Sequence, residues 1–253
     1  ENPILVESGP DDLPKLNSLA LPSQTPEEWL EELRETRLVR SKLIVSVNGV
    51  SPEGVSRIVG MTDPYTGGFE LNLSCPNLVP GEESVNAIVG QHPKAAARVV
   101  RAAKGATDKP VIAKLSPNTE YVEVGRACIE AGADYLGCGN TMPGIAIDLH
   151  ARTPVLAGGS GGVSGPALKP INLKMVYDAY AALGCPIVAY GGIGNWEDAV
   201  EYFLAGASVI GLGTFFAHRN TADIVRDTAA LWKGVRDYLN GEPLECATPM
   251  RPG

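Results

Sequence analysis

Short runs of apolar residues recur along the chain, and most of them show little alternation between apolar and polar positions. Such runs are typical of parallel β-strands that are covered on both faces. The run that begins at Phe69 differs, because its apolar residues alternate with Glu70, Asn72 and Ser74. The predicted strands are Leu43–Val47, Phe69–Ser74, Val111–Leu115, Tyr135–Gly139, Pro186–Tyr190 and Val209–Gly213.

Helix signals lie between these strands. The sequence TPEE at residues 25–28 combines a capping threonine, a proline suited to the first helical position and the glutamate of a capping box. Asn195 is expected to cap a helix over Trp196–Leu204, whose first turn is acidic. Gly132 and Gly184 follow helical stretches, where a left-handed cap favours glycine. The alternation of strands and helices predicts a parallel α/β fold.

One segment of this pattern occurs twice. The first repeat, residues 129–140, reads IEAGADYLGCGN, and the second repeat, residues 203–214, reads FLAGASVIGLGT. Both pass from a helix end through Ala-Gly-Ala into an apolar strand that ends in glycine. We therefore expect the two repeats to be copies of one structural unit.

Two parallel α/β folds compete, the closed eight-stranded barrel and the open doubly wound sheet. Glycines at 191–192 and 213 stand at the ends of the last two predicted strands, where barrels often bind phosphate. The alternative is that these glycines only shape the backbone. A dinucleotide fold would need GxGxxG after its first strand, and residues 191–194 do not fit that spacing. We therefore predict a (β/α)8 TIM barrel, with about two strands missing at its amino-terminal side.

Charge and composition exclude several classes of protein. The net charge is −8, and the absence of a basic run argues against a nucleic-acid surface. No apolar stretch approaches the roughly 20 residues of a membrane span. The cysteines lack CxxC spacing and the three histidines lack ligand spacing, so we expect reduced cytosolic thiols and no bound metal. The cysteines are Cys75, Cys128, Cys138, Cys185 and Cys246.

The most distinctive polar cluster follows the Phe69 strand. Pro76 prevents the strand from continuing, so Cys75 is expected in a turn at the carboxyl end, between Asn72 and Asn77. Each asparagine offers an acceptor and two donors, and a cysteine thiolate can act as a base. The cluster could therefore bind a planar amide or imide, although an asparagine-rich turn around an inert, buried cysteine fits equally well.

Several motifs together give the chain a clear resemblance. It resembles the FMN-dependent dihydroorotate dehydrogenases over essentially its whole length, and most closely their cytosolic, NAD-linked subtype. The membrane-linked subtype has serine at the position of Cys75. The motifs are LNSLALP (16–22), ELNLSCPN (70–77), AKLSPN (113–118), GNT (139–141), IDL (147–149), GGVSGPALKP (161–170), YGGI (190–193) and AGASVIGLGT (205–214).

The resemblance implies a single FMN-binding barrel domain over residues 1–253 and a role for each site residue. Cys75 is expected to remove a proton from C5 of dihydroorotate while a hydride passes from C6 to the flavin, which gives orotate in pyrimidine biosynthesis. Substrate would be bound by Asn17, Asn72, Asn77, Asn140 and Thr141. The flavin would be bound by Lys114, Gly165, Gly191, Gly192, Gly213 and Thr214.

Two of these roles also have support from the residue types. Lys114 lies inside the apolar run VIAKL, where an unpaired charge would be costly, and a fixed cation stabilises reduced flavin. Glycine loops let backbone amides approach a phosphate closely. The polar segment 78–88 is long enough to close over a pocket as a lid, or it is a plain surface loop.

The resemblance also implies partners. The NAD-linked subtype pairs the FMN subunit with a subunit that carries FAD and an iron–sulfur cluster. We expect a cytoplasmic homodimer or heterotetramer with NAD as the final acceptor through that partner. Fumarate and a quinone-like acceptor stay open as alternatives.

Some features depart from the family or leave other functions open. The family places a strand with a flavin-contacting lysine before the Asn-Pro that stands here at residues 2–3, and Ala20 replaces the usual glycine. A related flavin barrel that acts on dihydrouracil is one alternative, although such enzymes carry their cysteine further along the loop, where residues 78–88 have none. Two further alternatives are a non-catalytic subunit derived from the same barrel and a phosphate-binding barrel without redox chemistry.

Overall fold

The structure is a computed structural model that describes residues 5–7, 15–17, 25–48, 51–73, 89–217 and 219–239. Its strands are β1 Leu5–Glu7, β2 Lys15–Asn17, β3 Ile44–Val47, β4 Gly68–Asn72, β5 Val111–Leu115, β6 Tyr135–Cys138, β7 Met142–Gly144, β8 Ile147–Asp148, β9 Thr153–Pro154, β10 Gly161–Ser164, β11 Ile187–Tyr190 and β12 Val209–Gly211. Its α-helices are α1 Pro26–Glu35, α2 Pro52–Thr62, α3 Pro93–Lys104, α4 Tyr121–Glu130, α5 Lys169–Leu183, α6 Trp196–Leu204 and α7 Thr221–Tyr238.

The chain divides into two compact units. The first unit comprises Glu1–Leu19 and Cys138–Gly253, and the second unit comprises Ala20–Gly137. Each predicted strand is present, with its ends shifted by at most two residues. The alternation of strand and helix that the sequence predicts is therefore confirmed.

The second unit is built on strands β3, β4, β5 and β6, which lie side by side in chain order. The pairs β3–β4 and β4–β5 are parallel. Phe69 and Leu71 of β4 are at most 1% exposed, as expected for the apolar face of a strand. Helix α3 packs against α2 and α4 and buries Val99, Val100 and Ala103. The core of this unit thus combines one face of the sheet with the apolar stripes of its helices.

The first unit contains the parallel pair β11–β12 together with α5, α6 and α7. It also contains an antiparallel sheet in the order β1–β2–β10–β7, and a small hairpin of β8 and β9. The sequence pattern did not predict these short strands. They span only two to four residues, which is too short for an apolar run or a clear alternation.

The predicted helix ends are confirmed in detail. Thr25 and Glu28 form both bonds of a capping box at the start of α1. Asn195 caps α6 in the same reciprocal way with Asp198. Gly184 ends α5 in the left-handed conformation, with φ of 59°. Local residue chemistry is sufficient to define these ends because each cap uses neighbours within a few positions in sequence.

Candidate active site

Asn72 and Lys114 lie directly opposite each other on two neighbouring parallel strands, β4 and β5. Asn72 is the last residue of β4, and Lys114 is the penultimate residue of β5. The Leu73 N–H donates to the Lys114 carbonyl at 3.1 Å, which extends the pairing past the end of β4. Carboxyl ends of barrel strands carry the active sites of such folds. The structure thus places a predicted substrate-binding residue, Asn72, beside the predicted flavin-binding residue, Lys114, at the carboxyl ends of two neighbouring strands.

The charge of Lys114 has a partner that the sequence analysis missed. Lys114 Nζ lies 3.3 Å from Glu70 Oε1, and the two side chains are only 20% and 11% exposed. Ser46 Oγ donates to the same Glu70 oxygen at 2.9 Å. A charged residue inside the buried strand FELNL was the available signal, because an interior charge requires a partner.

Asn48 was also missed. Both polar atoms of its side chain are buried and have no hydrogen-bond partner among the described residues. Val47 and Leu71 are register partners, so continuing that register places Asn48 level with Asn72. Buried polar groups are nearly always satisfied, and Asn48 is therefore a candidate for contact with a bound molecule.

In the first unit, Asn140 and Thr141 follow the end of β6. The Thr141 N–H donates to Asn140 Oδ1 at 2.9 Å, which holds the asparagine side chain against its own backbone. Thr141 packs so closely on Gly162 of β10 that a Cβ there would lie 2.5 Å from Thr141 Oγ1. The backbone of Asn17 in β2 pairs with the same Gly162. The structure thus brings two of the predicted substrate-binding positions, Asn17 and Thr141, to Gly162, and the third, Asn140, directly precedes Thr141.

The Gly191–Gly192 turn requires glycine at both positions. Their φ angles are +108° and +69°, in the region that L side chains rarely adopt. A Cβ at Gly191 would lie 2.0 Å from Asn172 Nδ2, and one at Gly192 would lie 2.8 Å from the Lys169 nitrogen. The Asn172 side chain is fully buried and has no hydrogen-bond partner within the described part of the chain. Both the backbone conformation and the packing therefore require glycine at this turn, and its role in binding phosphate stays a prediction.

Two side chains of helix α6 form hydrogen bonds with the backbone of this turn. Tyr202 donates its hydroxyl to the Gly191 carbonyl at 2.7 Å, and Asp198 Oδ2 accepts from the Gly194 N–H at 2.8 Å. Burial raises the pKa of Tyr202 well above its usual value, so the hydroxyl keeps the proton that it donates. These contacts fix the path of residues 191–194.

Lys169 lies next to the turn but is an ion-pair residue. Its ammonium lies 2.6 Å from Asp198 Oδ1 and 3.1 Å from Glu201 Oε2. The hydrogen bond to Asp198 is the main reason why the pKa of Lys169 is raised. Two carboxylates already compensate this cation, so Lys169 is a poor candidate for binding an anion at this turn.

The remaining predicted cofactor residues occupy different backbone settings. Gly165 has φ of +103° and precedes the short helical turn Pro166–Leu168. Gly213 has φ of −121°, and a Cβ there would meet nothing within 4 Å. Thr214 begins the next short helical turn, Thr214–Phe216. Glycine is thus required by the backbone at position 165, whereas at position 213 neither space nor φ demands it.

Cys75, Asn77 and the predicted lid 78–88 lie outside the described residues. The described thiols are unsuited to act as bases, because burial raises the pKa of Cys128 to about 12 and also raises those of Cys138 and Cys185. Within the described ranges, no group of three or more His, Cys, Asp or Glu side chains could hold a metal ion. None of the helices described above is long and apolar enough to cross a membrane.

Comparison with known proteins identifies the family. The model of the family described as dihydroorotate dehydrogenase matches residues 1–229. The catalytic subunit of dihydroorotate dehydrogenase B (NAD(+)) from Pyrococcus abyssi is 41% identical over 245 residues, which cover 96% of this chain and 77% of that protein. The Thermococcus kodakarensis protein of the same name is 42% identical over 245 residues, with 96% and 76% covered.

Solved structures give the same fold. A ligand-free dihydroorotate dehydrogenase structure from Eimeria tenella matches with a TM-score of 0.72 and 20% sequence identity, covering 94% of this chain and 75% of that one. This similarity supports the predicted α/β barrel fold. The chain therefore belongs to the dihydroorotate dehydrogenase family, whose enzymes are FMN-dependent oxidoreductases.

Proposed function

We propose that this chain catalyses the FMN-dependent oxidation of dihydroorotate to orotate in pyrimidine biosynthesis. The curated relatives that match over nearly all of this chain are named as catalytic subunits for this reaction. The structural observation that carries the proposal is the register pairing of Asn72 with Lys114 at the carboxyl ends of β4 and β5. It puts an amide that can bind the substrate beside a cation that can stabilise a reduced flavin.

The glycine turn and the asparagine beside it are suited to bind FMN in two respects. The Gly191–Gly192 turn has a backbone that only glycine can adopt there, and α6 fixes its path. The amide of Asn172 is buried against this turn without a described partner, so the region has unused hydrogen-bonding capacity. We propose that Gly165, Gly191, Gly192, Gly213 and Thr214 hold the ribityl and phosphate groups and that Lys114 contacts the flavin ring.

FMN, when bound, supplies the two-electron acceptor for the hydride that leaves C6 of the substrate. Cys75 acts as the general base and takes the proton from C5, so that a C–H bond breaks at each carbon and the C5–C6 double bond of orotate forms. A free thiol titrates near pH 8.5, so a modest stabilisation of the thiolate suffices at neutral pH. Asn17, Asn72, Asn77, Asn140 and Thr141 bind and orient the pyrimidine amide groups.

The relatives named as catalytic subunits imply a further subunit. We propose that an electron-transfer partner with FAD and an iron–sulfur cluster passes electrons from this chain to NAD, in a cytoplasmic heterotetramer built on a homodimer. Residues 1–253 would act in it as one FMN-binding catalytic domain, which agrees with a family match that extends over both units.

Visible absorbance of the purified protein tests the proposal. We expect a flavin spectrum that bleaches when dihydroorotate is added without oxygen, whereas orotate, the matched control, should perturb the spectrum without bleaching it. Bleaching by dihydrouracil alone would instead favour the related dihydropyrimidine enzyme. A protein that binds no FMN would contradict the proposal and favour the non-catalytic subunit.

A further inference from the structure

We propose that Glu70 is a positioning residue that holds the Lys114 ammonium and partly compensates its charge, so that Glu70 sets the reduction potential of the bound flavin. The inference rests on the proposed function, because it takes Lys114 as the flavin-contacting cation. Glu70 contacts Lys114 and Ser46 within the second unit.

Glu70 occupies the middle of β4, between Phe69 and Leu71, and is only 8% exposed as a whole residue. Side chains alternate between the faces of a strand, so Glu70 and Asn72 lie on the face opposite to these two apolar residues. A carboxylate in this position is costly unless it is paired and hydrogen-bonded.

One carboxylate oxygen of Glu70 makes both of its contacts. Glu70 Oε1 accepts from Ser46 Oγ at 2.9 Å and lies 3.3 Å from Lys114 Nζ. Ser46 and Glu70 are register partners on β3 and β4, so the hydroxyl approaches from a fixed neighbouring strand. One oxygen thus joins β3, β4 and β5. The long, flexible lysine side chain gains a defined position for its charge.

The charges of Glu70 and Lys114 have opposite effects on a bound flavin. Reduction places negative charge on the flavin ring, which a nearby cation favours and a nearby carboxylate opposes. Both side chains are mostly shielded from solvent, so their effects are screened less than those of surface charges. Glu70 therefore offsets part of the stabilisation that Lys114 gives to reduced flavin. Neutralising Glu70 should make reduction easier.

The test is the midpoint potential of the FMN-loaded protein, measured by redox titration of its absorbance. Glu70→Gln keeps the size of the side chain and the oxygen acceptor but removes the charge. We expect its reduction to be at least tenfold more favourable at equilibrium, which corresponds to a midpoint about 30 mV more positive for two electrons. Asp237→Asn is the matched control, because Asp237 pairs with Lys233 in an exposed i,i+4 pair on α7. Its midpoint should equal that of the wild type.

Two further variants protect the test against a folding defect in Glu70→Gln. Lys114→Gln should have a more negative midpoint than the wild type. The double variant with both glutamines, which carries no net change in charge, should lie closer to the wild type than Lys114→Gln does. The difference between these last two proteins reports the charge of Glu70 independently. The melting temperature of each flavin-free variant shows which of them are folded.

The outcomes separate the two proposals. The role of Glu70 is supported if the midpoint potential is highest in Glu70→Gln, intermediate in the wild type and lowest in Lys114→Gln. The midpoint of the double variant should then lie between those of Lys114→Gln and the wild type. The role of Glu70 is wrong if the midpoint of Glu70→Gln is no more positive than that of the wild type and the midpoint of the double variant is no more positive than that of Lys114→Gln. The proposed function still stands in that case, provided that the wild type binds flavin and bleaches with dihydroorotate. If the wild type binds no FMN, both are overturned.

Discussion

The two sequence repeats, residues 129–140 and 203–214, follow the same path from helix to strand. In each, the glycine of Ala-Gly-Ala has a positive φ, +104° at Gly132 and +108° at Gly206. The alanine N–H that follows donates back to the helix at 3.1 Å and 3.0 Å, respectively. The next N–H, of Asp134 or Ser208, then reaches the preceding strand at 2.9 Å or 2.8 Å. The two similar sequences therefore adopt the same backbone conformation at the turn from helix to strand.

The same comparison shows where the copies diverge. The strand glycine of the first repeat, Gly137, packs on the backbone of Lys114, where a Cβ would lie 2.9 Å from the lysine Cα. Its counterpart Gly211 packs on the ring of Tyr190, at 2.4 Å from ring carbons. Lys114 and Tyr190 lie at matching places in β5 and β11. The scaffold is thus shared, and the side chain beside each strand glycine gives each copy its own chemistry.

The largest expected effect is a loss of turnover without a loss of stability or of bound FMN. Cys75→Ser should lower turnover about 10²- to 10⁴-fold at neutral pH, because a thiol supplies a basic thiolate near neutral pH whereas a serine hydroxyl does not ionise there. FMN content and the free energy of unfolding should stay close to those of the wild type. Steady-state kinetics with dihydroorotate, together with the flavin absorbance, measure both. Full turnover in this variant would remove Cys75 from the mechanism.

Equivalent glycine-to-alanine substitutions in the two repeats should differ in their cost in stability. Gly206→Ala should lower the free energy of unfolding by about 3–5 kcal/mol, because strain at positive φ adds to a collision with Tyr180, whose Cγ would lie 2.2 Å from the new Cβ. Gly132→Ala should cost only about 1–2 kcal/mol, since its Cβ would meet Lys104 Cγ at 3.5 Å. Denaturant unfolding of the two variants gives the comparison. Equal losses would contradict the packing argument.

A smaller effect concerns the residue just before each repeat. Tyr202, which precedes the second repeat, donates to the Gly191 carbonyl, whereas Cys128 precedes the first. Tyr202→Phe should cost about 1 kcal/mol of stability and weaken FMN binding about fivefold, because the support of the glycine turn is lost. Tyr65→Phe, in the second unit, is the matched control for removing a hydroxyl. Flavin titration of the apoprotein by fluorescence measures the change, and unchanged affinity would separate Tyr202 from the cofactor site.

The smallest effect is a loss of stability at alkaline pH. Burial raises the pKa of Cys128 from 9.0 to about 12. The unfolded chain therefore releases the thiol proton first, so this contribution is fully present below pH 9 and is lost as the pH rises toward 12. Between pH 9 and pH 10 the loss should be about 1 kcal/mol. Unfolding curves at both pH values, with Cys128→Ala as the comparison, would show the difference in slope.

Much of the scaffold was predictable because it depends on short-range signals. Apolar runs marked the strands Val111–Leu115 and Ile187–Tyr190, and the caps at Thr25 and Asn195 use residues three positions away. The short strands β7 to β10 were not predictable. With two to four residues each, they are too short to show a period of their own, and β10 pairs with β2 near the start of the chain.

The sequence by itself determined the parallel α/β pattern, the repeated helix-to-strand turn and the presence of a buried lysine in need of a partner. Only the tertiary structure decided that this partner is Glu70, 44 positions earlier, and that Ser46 shares its oxygen. It also decided that Asn172 lies against the Gly191 turn. The physical reason is that periodicity and capping depend on neighbours in sequence, whereas side-chain contacts depend on strand register and helix packing across the sheet.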